Sequence, residues 1–332
     1  MGGADRMASI CPATVIVAKN ALDRLDSILD PYRHVVCVSD EIIRGEYGVR
    51  LEGVVKRGMT WLMVSDYQDG AFPRNEGDVI LGFGGGRSLD VAKLLAVELG
   101  CDWVSIPTAA SHDGIASDVA SVSQDGYKYS KKCKRPIAVV ADLSIMSRAP
   151  PRLKLAGTGD VLCKSSSLAE WRLGKENNGE YFDDSAYHVV ESALASVMRN
   201  DSLEVLVKAQ IDAGRAMCMV GSSRPCSGTE HAISHAMDRH SQELHGLQVA
   251  FATPLCLYHL DQAGYTKHKA DDLIRIMRKR GLPVSLTEMS LAPDVFIDDI
   301  HHALEIMRKR GRYSVLGGID DGRLSETIAK LY

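Results

Sequence analysis

Short apolar runs rich in β-branched residues alternate with helical segments throughout the first half of the chain. The runs cover residues 15–17, 34–40, 61–64, 79–81 and 103–106. Buried parallel strands have nearly continuous apolar sequences, and strands separated by amphipathic helices form βαβ units. The alternation therefore predicts an α/β domain with a doubly wound parallel sheet.

The second half of the chain has a different pattern. Pro150 and Pro151 disfavour helix in the residues before them, so we place a domain boundary between 150 and 151. From Gly157 onward nearly every segment has helical periodicity, and one predicted helix runs over 160–173 with Asp160 at its start. We expect an α/β domain over 1–150 and an all-helical domain over 151–332.

Composition excludes several classes of protein. The chain has 332 residues, of which 45% are hydrophobic and 25% charged, with a net charge of −4. These are values of a globular protein with no general attraction to nucleic acid. No apolar run approaches the ~18–20 residues that span a bilayer, and the N-terminus lacks a signal-peptide pattern. We expect a cytoplasmic protein with a small-molecule partner, without nucleic-acid binding or membrane insertion.

The eight cysteines are scattered, and none forms a Cys-x-x-Cys pair. In a chain of this length without a secretory signal, this pattern indicates reduced and mostly buried thiols. It argues against a disulfide framework and against a cysteine-type zinc site.

The sequence of residues 79–93 predicts a strand, a glycine turn and a helix. Gly84, Gly85 and Gly86 allow backbone to approach a pyrophosphate closely, and the helix N-terminus offers N–H groups to it. Ser88 is the predicted N-cap of the helix. Arg87 occupies the position of the third glycine in Gly-x-Gly-x-x-Gly, so a tight structural turn is the alternative to a nucleotide site.

A second polar turn, at 107–117, follows the next predicted strand. Neighbouring parallel strands that end in such turns line a crevice where ligands bind. Lysine-rich residues 124–136 predict an exposed turn or hairpin. Asp40 ends another apolar run and either accepts a hydrogen bond from a ribose hydroxyl or belongs to an ordinary turn.

Three histidines and one aspartate form a candidate metal site. His231 and His235 are four residues apart and lie on one face of a helix, and His245 follows ten residues later. With Asp160, two imidazoles would leave the fourth position of a zinc ion open to substrate. Spacing alone leaves a solvated histidine pair on a helix surface as an equal alternative.

These motifs resemble the sn-glycerol-1-phosphate dehydrogenase family, within the superfamily of glycerol dehydrogenase, dehydroquinate synthase and iron-containing alcohol dehydrogenase. The glycine block at 84–93 marks the superfamily, whereas the Ser-His-Asp-Gly-Ile-Ala-Ser turn at 111–117 and the Glu-His-Ala-Ile-Ser-His helix at 230–235 are more specific. The resemblance extends over 82–250. It implies a dehydroquinate synthase-like fold: an N-terminal parallel-sheet nucleotide-binding domain, an all-α metal-binding domain and an active site in the cleft between them.

The resemblance also implies an activity and its residues. The activity is reversible NAD- or NADP-dependent reduction of dihydroxyacetone phosphate to sn-glycerol 1-phosphate, for archaeal membrane lipids. Asp160, His231 and His245 match ligands of one Zn²⁺ per subunit, Asp113, Asp160 and His235 match substrate contacts, and Asp160 and His235 are the implied catalytic residues. The implied cofactor contacts are Gly84, Gly85, Gly86, Arg87, Ser88, Leu89, Asp90, Thr108, Ala109, Ala110, Ser111 and Ser117. A homo-oligomer is the family expectation.

Several functional questions stay open in the sequence. Glycerol dehydrogenase activity on unphosphorylated glycerol is one alternative, and a catalytically silent nucleotide-binding relative is another. The proton for the product oxygen comes from His235 or from water. Lys164 and Arg224 are candidate contacts for the substrate phosphate, with solvated surface charge as the competing interpretation.

Overall fold

The computed structural model of the chain describes residues 12–68, 78–124 and 127–332. These residues form two compact units. The first contains the chain up to Lys154 together with Ser202–Met219, and the second contains Leu155–Asp201 and Val220–Tyr332. Within the described ranges, no helix is long and apolar enough to cross a membrane.

The first unit is built on a six-stranded parallel sheet, as predicted. Its strands are β1 (Thr14–Ala18), β2 (His34–Ser39), β3 (Gly58–Met63), β4 (Val79–Gly84), β5 (Asp102–Pro107) and β8 (Ala138–Asp142). The strand order is β1-β8-β5-β4-β2-β3, with every neighbouring pair parallel. Its helices are α1 (Leu25–Ile28), α2 (Glu41–Val54), α3 (Gly86–Leu99) and α4 (Leu143–Met146).

The strand order places a topological switch point at the centre of the sheet. The chain passes from β2 outward to β3, and from β4 in the opposite direction to β5. Ligands of open α/β sheets bind beside the carboxyl ends of the strands at such a point. The glycine turn follows β4 and therefore lies where a ligand is expected.

An antiparallel hairpin made of β6 (Val119–Gln124) and β7 (Tyr127–Lys132) is added to the sheet unit. A turn or hairpin was predicted in this region, and the structure has a hairpin that begins at Val119, earlier than predicted. The same unit includes α8 (Leu203–Val220). A β-carbon on Gly214 of α8 would lie 2.9 Å from the backbone of Ala116 and Ser117, so this helix packs closely on the turn after β5. Helical periodicity does not indicate which core a helix joins, and the sequence did not predict this assignment.

The second unit is helical, in agreement with the predicted fold class. Its elements are α5 (Pro151–Leu162), α6 (Lys164–Asn178), α7 (Asp184–Arg199), α9 (Thr229–Met237), α10 (His245–Gln262), α11 (Ala270–Arg280), α12 (Pro293–Lys309) and α13 (Asp321–Leu331). Phe251, Phe296 and Tyr332 form an aromatic cluster in its core, with ring centroids 4.6–5.7 Å apart. Seven of the cysteines lie in the described ranges, and all seven are free thiols.

The prediction that Asp160 begins a helix is wrong. Asp160 lies in the last turn of α5, which begins at Pro151, and a new helix begins at Lys164. Proline is accommodated in the first turn of a helix because its missing N–H has no intrahelical partner there. The proline pair therefore marks the start of a helix, not an irregular connection before one.

We expect His259 to make the stability of the second unit depend on pH. Its side chain on α10 is 4% exposed, and burial, assisted by Arg323, lowers its pKa to about 4. Between pH 6.5 and 4 the unfolded chain takes up this proton and the folded chain does not, so stability falls as pH falls through this window, by up to about 3 kcal/mol.

Urea unfolding of the wild type and of His259→Leu across this pH range measures the effect. The stability of the variant should fall less steeply as the pH is lowered, and a constant difference in stability between the two proteins does not affect this comparison of slopes. Equal slopes for the two proteins would contradict the assignment.

Candidate functional site

The glycine turn joins β4 directly to α3. Gly85 is the N-cap of the helix, and the first intrahelical hydrogen bond runs from Leu89 N to Gly85 O at 3.1 Å. The N–H groups of residues 86–88 therefore precede the hydrogen-bonded ladder and are placed to bind an anion. The prediction of Ser88 as N-cap is wrong. Ser88 lies within the first turn and is buried, because glycines before it let the helix begin earlier.

Close packing explains why glycines occupy this turn. A β-carbon on Gly82 would lie 2.9 Å from Cβ of Ala92, so its absence brings α3 close to β4. A β-carbon on Gly84 would collide with the side chain of Ser88, and one on Gly86 would collide with Nε2 of His112. At Gly85, by contrast, a β-carbon would meet open space. The turn is therefore closely packed at Gly84 and Gly86, whereas Gly85 faces open space.

The polar turn after β5 lies beside the glycine turn. Gly84 pairs with Pro107 in the β4–β5 register, and Thr108 N donates to Gly84 O at 3.0 Å. Thr108, Ala109 and Ala110 are buried. The structure thus brings together the two turns that were predicted to contact the cofactor.

A buried lysine connects these two segments. Nζ of Lys93 on α3 donates to Asp90 Oδ1 at 3.1 Å, to Val119 O at 2.8 Å and to Ser117 Oγ at 3.5 Å. Asp90 Oδ2 in turn accepts from Ser121 N. Two predicted cofactor residues, Asp90 and Ser117, are therefore tied to one fully buried ammonium group. Lys93 was not predicted from the sequence, since a single lysine in an amphipathic helix looks like a surface residue.

Asp40 is the N-cap of α2, and its Oδ1 accepts from Ile43 N at 2.9 Å. This is the ordinary turn role that the sequence analysis kept as an alternative. Ser39, just before it, donates to Phe83 O at 2.7 Å and joins the ends of β2 and β4. The remaining glycine-turn residues divide by exposure: Arg87 is exposed, whereas Leu89 is buried against the sheet.

In the second unit, Asp160, His231 and His245 lie close together. Oδ1 of Asp160 is 3.6 Å from Nε2 of His231, and the rings of His231 and His245 have centroids 5.2 Å apart. Tetrahedral zinc ligands at about 2.0–2.1 Å from the metal are about 3.3 Å from one another, so the measured spacing of Asp160 and His231 suits one ion. The oxygen and nitrogen donors are those that zinc prefers.

A close helix crossing brings Asp160 and His245 together. A β-carbon on Gly159 would collide with Gly246 O, and one on Gly246 would collide with the backbone of Ala156. The backbones of α5 and α10 therefore touch at this point. Asp160 follows one of these glycines and His245 precedes the other, so the contact determines the separation of the two side chains.

Cys163 is a further possible metal donor that the sequence analysis missed. Donor atoms of Asp160, Cys163 and His231 lie within 4.8 Å of one another. However, Sγ of Cys163 lies 4.0 Å from Nδ1 of His231, whereas Asp160 faces Nε2. Burial raises the pKa of the Cys163 thiol, and Sγ donates to Asp160 O at 2.9 Å. The Cys163 thiol is therefore neutral, and it lies at the Nδ1 edge of the His231 ring, whereas Asp160 faces the Nε2 edge.

Lys164 and Arg224 are buried, so the interpretation of both as solvated surface charges is wrong. Nζ of Lys164 lies 3.4 Å from Asp160 Oδ2. Arg224 is paired with Glu170 at 3.3 Å and with Glu180 at 2.5 Å. Both cations are therefore engaged with carboxylates of this unit, and neither side chain has more than 4% of its area exposed.

The ionisation of the cluster favours a cation. Burial opposes the charged form of Asp160, but Lys164 and the two histidines outweigh this effect and hold its pKa below the ordinary value. Burial likewise opposes protonation of His231, but Cys163, Asp160 and Glu230 beside it outweigh this effect and hold its pKa well above the ordinary value. The electrostatic potential at the His231 ring is therefore negative. It stabilises a proton there and would also stabilise a divalent metal ion.

His235 and Asp113 are the two predicted substrate contacts that are not metal ligands. The His235 ring lies 5.6 Å from that of His245, and its side chain is 18% exposed, more than that of His231. Asp113 belongs to the first unit and begins a short 3-10 turn over Asp113–Ile115. His112 holds that turn, since its Nδ1 accepts from Gly114 N at 2.9 Å.

Comparison with known proteins identifies the family. A family model described as iron-containing alcohol dehydrogenase matches residues 16–150. A glycerol-1-phosphate dehydrogenase (NAD(P)+) from Hyperthermus butylicus is 32% identical over 331 residues, which cover 92% of this chain and 92% of the relative. The chain belongs to the glycerol-1-phosphate dehydrogenase family. The resemblance found in the sequence motifs is confirmed, and so is the assignment to the oxidoreductases.

Solved structures show the same fold at lower identity. A probable glycerol dehydrogenase from Sinorhizobium meliloti has a TM-score of 0.74 and 21% identity, covering 96% of both chains. A sulfoacetaldehyde reductase from Bifidobacterium kashiwanohense, in complex with NAD+, has a TM-score of 0.72 and 15% identity, covering 97% of both chains. The predicted fold class is confirmed.

We expect Gly159→Ala to weaken metal binding by separating α5 from α10. An added methyl group meets backbone that cannot move locally, and such overpacking costs about 1–3 kcal/mol. Zinc content after dialysis against a chelator, compared with wild type, measures the effect. Gly45→Ala is the control, because a β-carbon there meets nothing within 4 Å. Unchanged zinc retention in a folded Gly159→Ala protein would show that the crossing does not set the ligand spacing.

Proposed function

We propose that this protein reduces dihydroxyacetone phosphate to sn-glycerol 1-phosphate, with NADH or NADPH as hydride donor and one Zn²⁺ per subunit. The observation that carries the proposal is the similarity to a glycerol-1-phosphate dehydrogenase along 92% of both chains. The cluster of Asp160, His231 and His245 and the glycine turn at the sheet switch point support it, since they offer places for the metal and the dinucleotide of the proposed reaction.

Asp160, His231 and His245 are the residues that would hold the zinc ion. A zinc ion held there would supply Lewis-acid chemistry, namely polarisation of the C2 carbonyl and stabilisation of the negative charge that develops on its oxygen during hydride transfer. The protein's contribution is to supply one carboxylate and two neutral imidazoles and to leave a coordination position for substrate. Lys164 keeps the Asp160 carboxylate ionised in its buried position.

The first unit would hold the dinucleotide. The N–H groups at the start of α3 bind the pyrophosphate, and the open surface at Gly85 lets it approach the backbone. The two turns complete the proposed cofactor contacts. These contacts come from Gly84, Arg87, Asp90, Ser111 and Ser117, and from the backbone of the buried residues Ser88, Leu89, Thr108, Ala109 and Ala110.

His235 and Asp113 would contact the substrate directly. His235 lies next to His245 and retains exposed area, so its imidazole can hydrogen bond to the substrate and deliver the proton to the product oxygen, directly or through water. Asp113 is an acceptor for a substrate hydroxyl. We further propose that the protein is a cytoplasmic homo-oligomer that supplies the glycerophosphate of archaeal membrane lipids.

The activity is tested by following NADH and NADPH oxidation with dihydroxyacetone phosphate, before and after chelation, and by determining the chirality of the product. We expect turnover that a chelator abolishes and zinc restores, with sn-glycerol 1-phosphate as product. Higher activity on free glycerol would favour the glycerol dehydrogenase alternative. No turnover on either substrate by zinc-loaded protein would favour a silent relative.

The two histidines of α9 should separate metal binding from substrate chemistry. His231→Ala should lose zinc and activity together, because it removes a ligand. His235→Ala should keep full zinc occupancy and lose about 10²–10⁴-fold in kcat/KM, the usual contribution of a proton-transferring side chain. Metal analysis and steady-state kinetics on both variants measure this. Full zinc in His231→Ala, or none in His235→Ala, would overturn the division of roles.

A further inference from the structure

We infer that Glu230 and the Ser234–Gln248 pair are positioning residues of the metal site: their hydrogen bonds occupy Nδ1 of both imidazoles and leave Nε2 as the metal ligand. The inference rests on the proposed function of this site. None of the three residues was given a role by the sequence analysis. All three are fully buried in the second unit. Each is linked by hydrogen bonds to the ring of a proposed ligand.

Glu230 controls the orientation of His231. Its Oε1 accepts from Gly228 N at 2.6 Å and lies 3.0 Å from His231 Nδ1, so this oxygen is an acceptor and Nδ1 carries the proton. When the ring loses its other proton as metal binds, the lone pair is therefore on Nε2, which faces Asp160 Oδ1 at 3.6 Å. The carboxylate is held from behind by Ser166 Oγ at 2.8 Å.

A hydroxyl relay controls His245. Ser234 Oγ donates its single proton to Gln248 Oε1 at 2.7 Å and lies 2.8 Å from His245 Nδ1. Because that proton is already used, Ser234 can only accept from His245, and Nδ1 must be protonated. The lone pair of His245 is therefore also on Nε2. Ser234 lies on α9 and Gln248 on α10, so the relay also joins the helices that carry the two histidines.

The physical consequence is preorganisation. A neutral imidazole binds metal through one nitrogen, and the hydrogen bond made by the other nitrogen decides which one. Without these partners, part of the population of each ring would have the wrong tautomer or orientation, and metal binding would have to reverse it. Loss of such outer partners typically costs 10–100-fold in metal affinity.

The test compares Ser234→Ala with a matched control, Ser165→Ala. Both changes remove a buried serine hydroxyl. The hydroxyl of Ser165, however, donates to the carbonyl oxygen of Leu162, three residues earlier, at 2.8 Å and not to a histidine. Zinc affinity is measured by chelator competition without substrate or cofactor, and the visible spectrum of the Co²⁺-substituted protein reports ligand geometry. Thermal melting of the metal-free proteins measures the structural cost of each change separately.

We expect Ser234→Ala to bind zinc about 10–100-fold more weakly than wild type and to change the Co²⁺ spectrum, with Ser165→Ala unchanged in both. Glu230→Gln tests the contact with His231 and should weaken zinc binding similarly. If Ser234→Ala does not fold, Gln248→Met replaces it: Ser234 could then donate to His245 and favour the wrong tautomer.

Equal zinc affinity in wild type and in the folded variants would overturn the inference, as would the absence of zinc and cobalt binding in wild type. Weakened zinc affinity in both Ser234→Ala and Glu230→Gln would support the inference even if dihydroxyacetone phosphate were not a substrate. Because affinity is measured without substrate, failure of the proposed reaction and failure of the positioning role give different results.

Discussion

The backbone contact between α5 and α10 is the constraint on which the proposed metal site depends. Gly159 and Gly246 have no side chains, so the two helices meet through backbone atoms. Asp160 and His245 flank this contact and come from segments far apart in sequence. Only a small residue on each helix permits such proximity, and this explains the sequence pairs Gly159-Asp160 and His245-Gly246 as packing requirements as well as chemical ones.

Around this contact the second unit buries charges that would destabilise an ordinary core. Removing a carboxylate from water costs several kcal/mol unless it is paired and hydrogen bonded. Asp160 is paired with Lys164, and Glu170 is paired with Arg224. Glu230 contacts His231 and accepts a hydrogen bond from Ser166. Apolar side chains could fill the same space with equal or greater stability. The charged arrangement is therefore better explained by metal binding than by stability.

Features encoded locally were predictable from sequence, whereas those that depend on tertiary partners were not. The strands, the glycine turn and the helical second half follow from periodicity over short windows. Asp160 was placed at the wrong end of its helix because Pro151 marks a helix start as well as a break. The contacts of Lys93 with Val119 and of Cys163 with His231 join residues distant in sequence, and Lys164 was misread because its burial depends on the packing of other helices.

Crystallographic location of the metal by anomalous scattering at the zinc edge tests the central claim most directly. That claim is that the cluster of α5, α9 and α10 holds one zinc ion through three protein ligands. We predict a single strong peak at about 2.0–2.2 Å from an Asp160 carboxylate oxygen and from Nε2 of both His231 and His245. A peak bonded to Sγ of Cys163 or to Nδ1 of His231, or no peak in this cluster, would contradict the account.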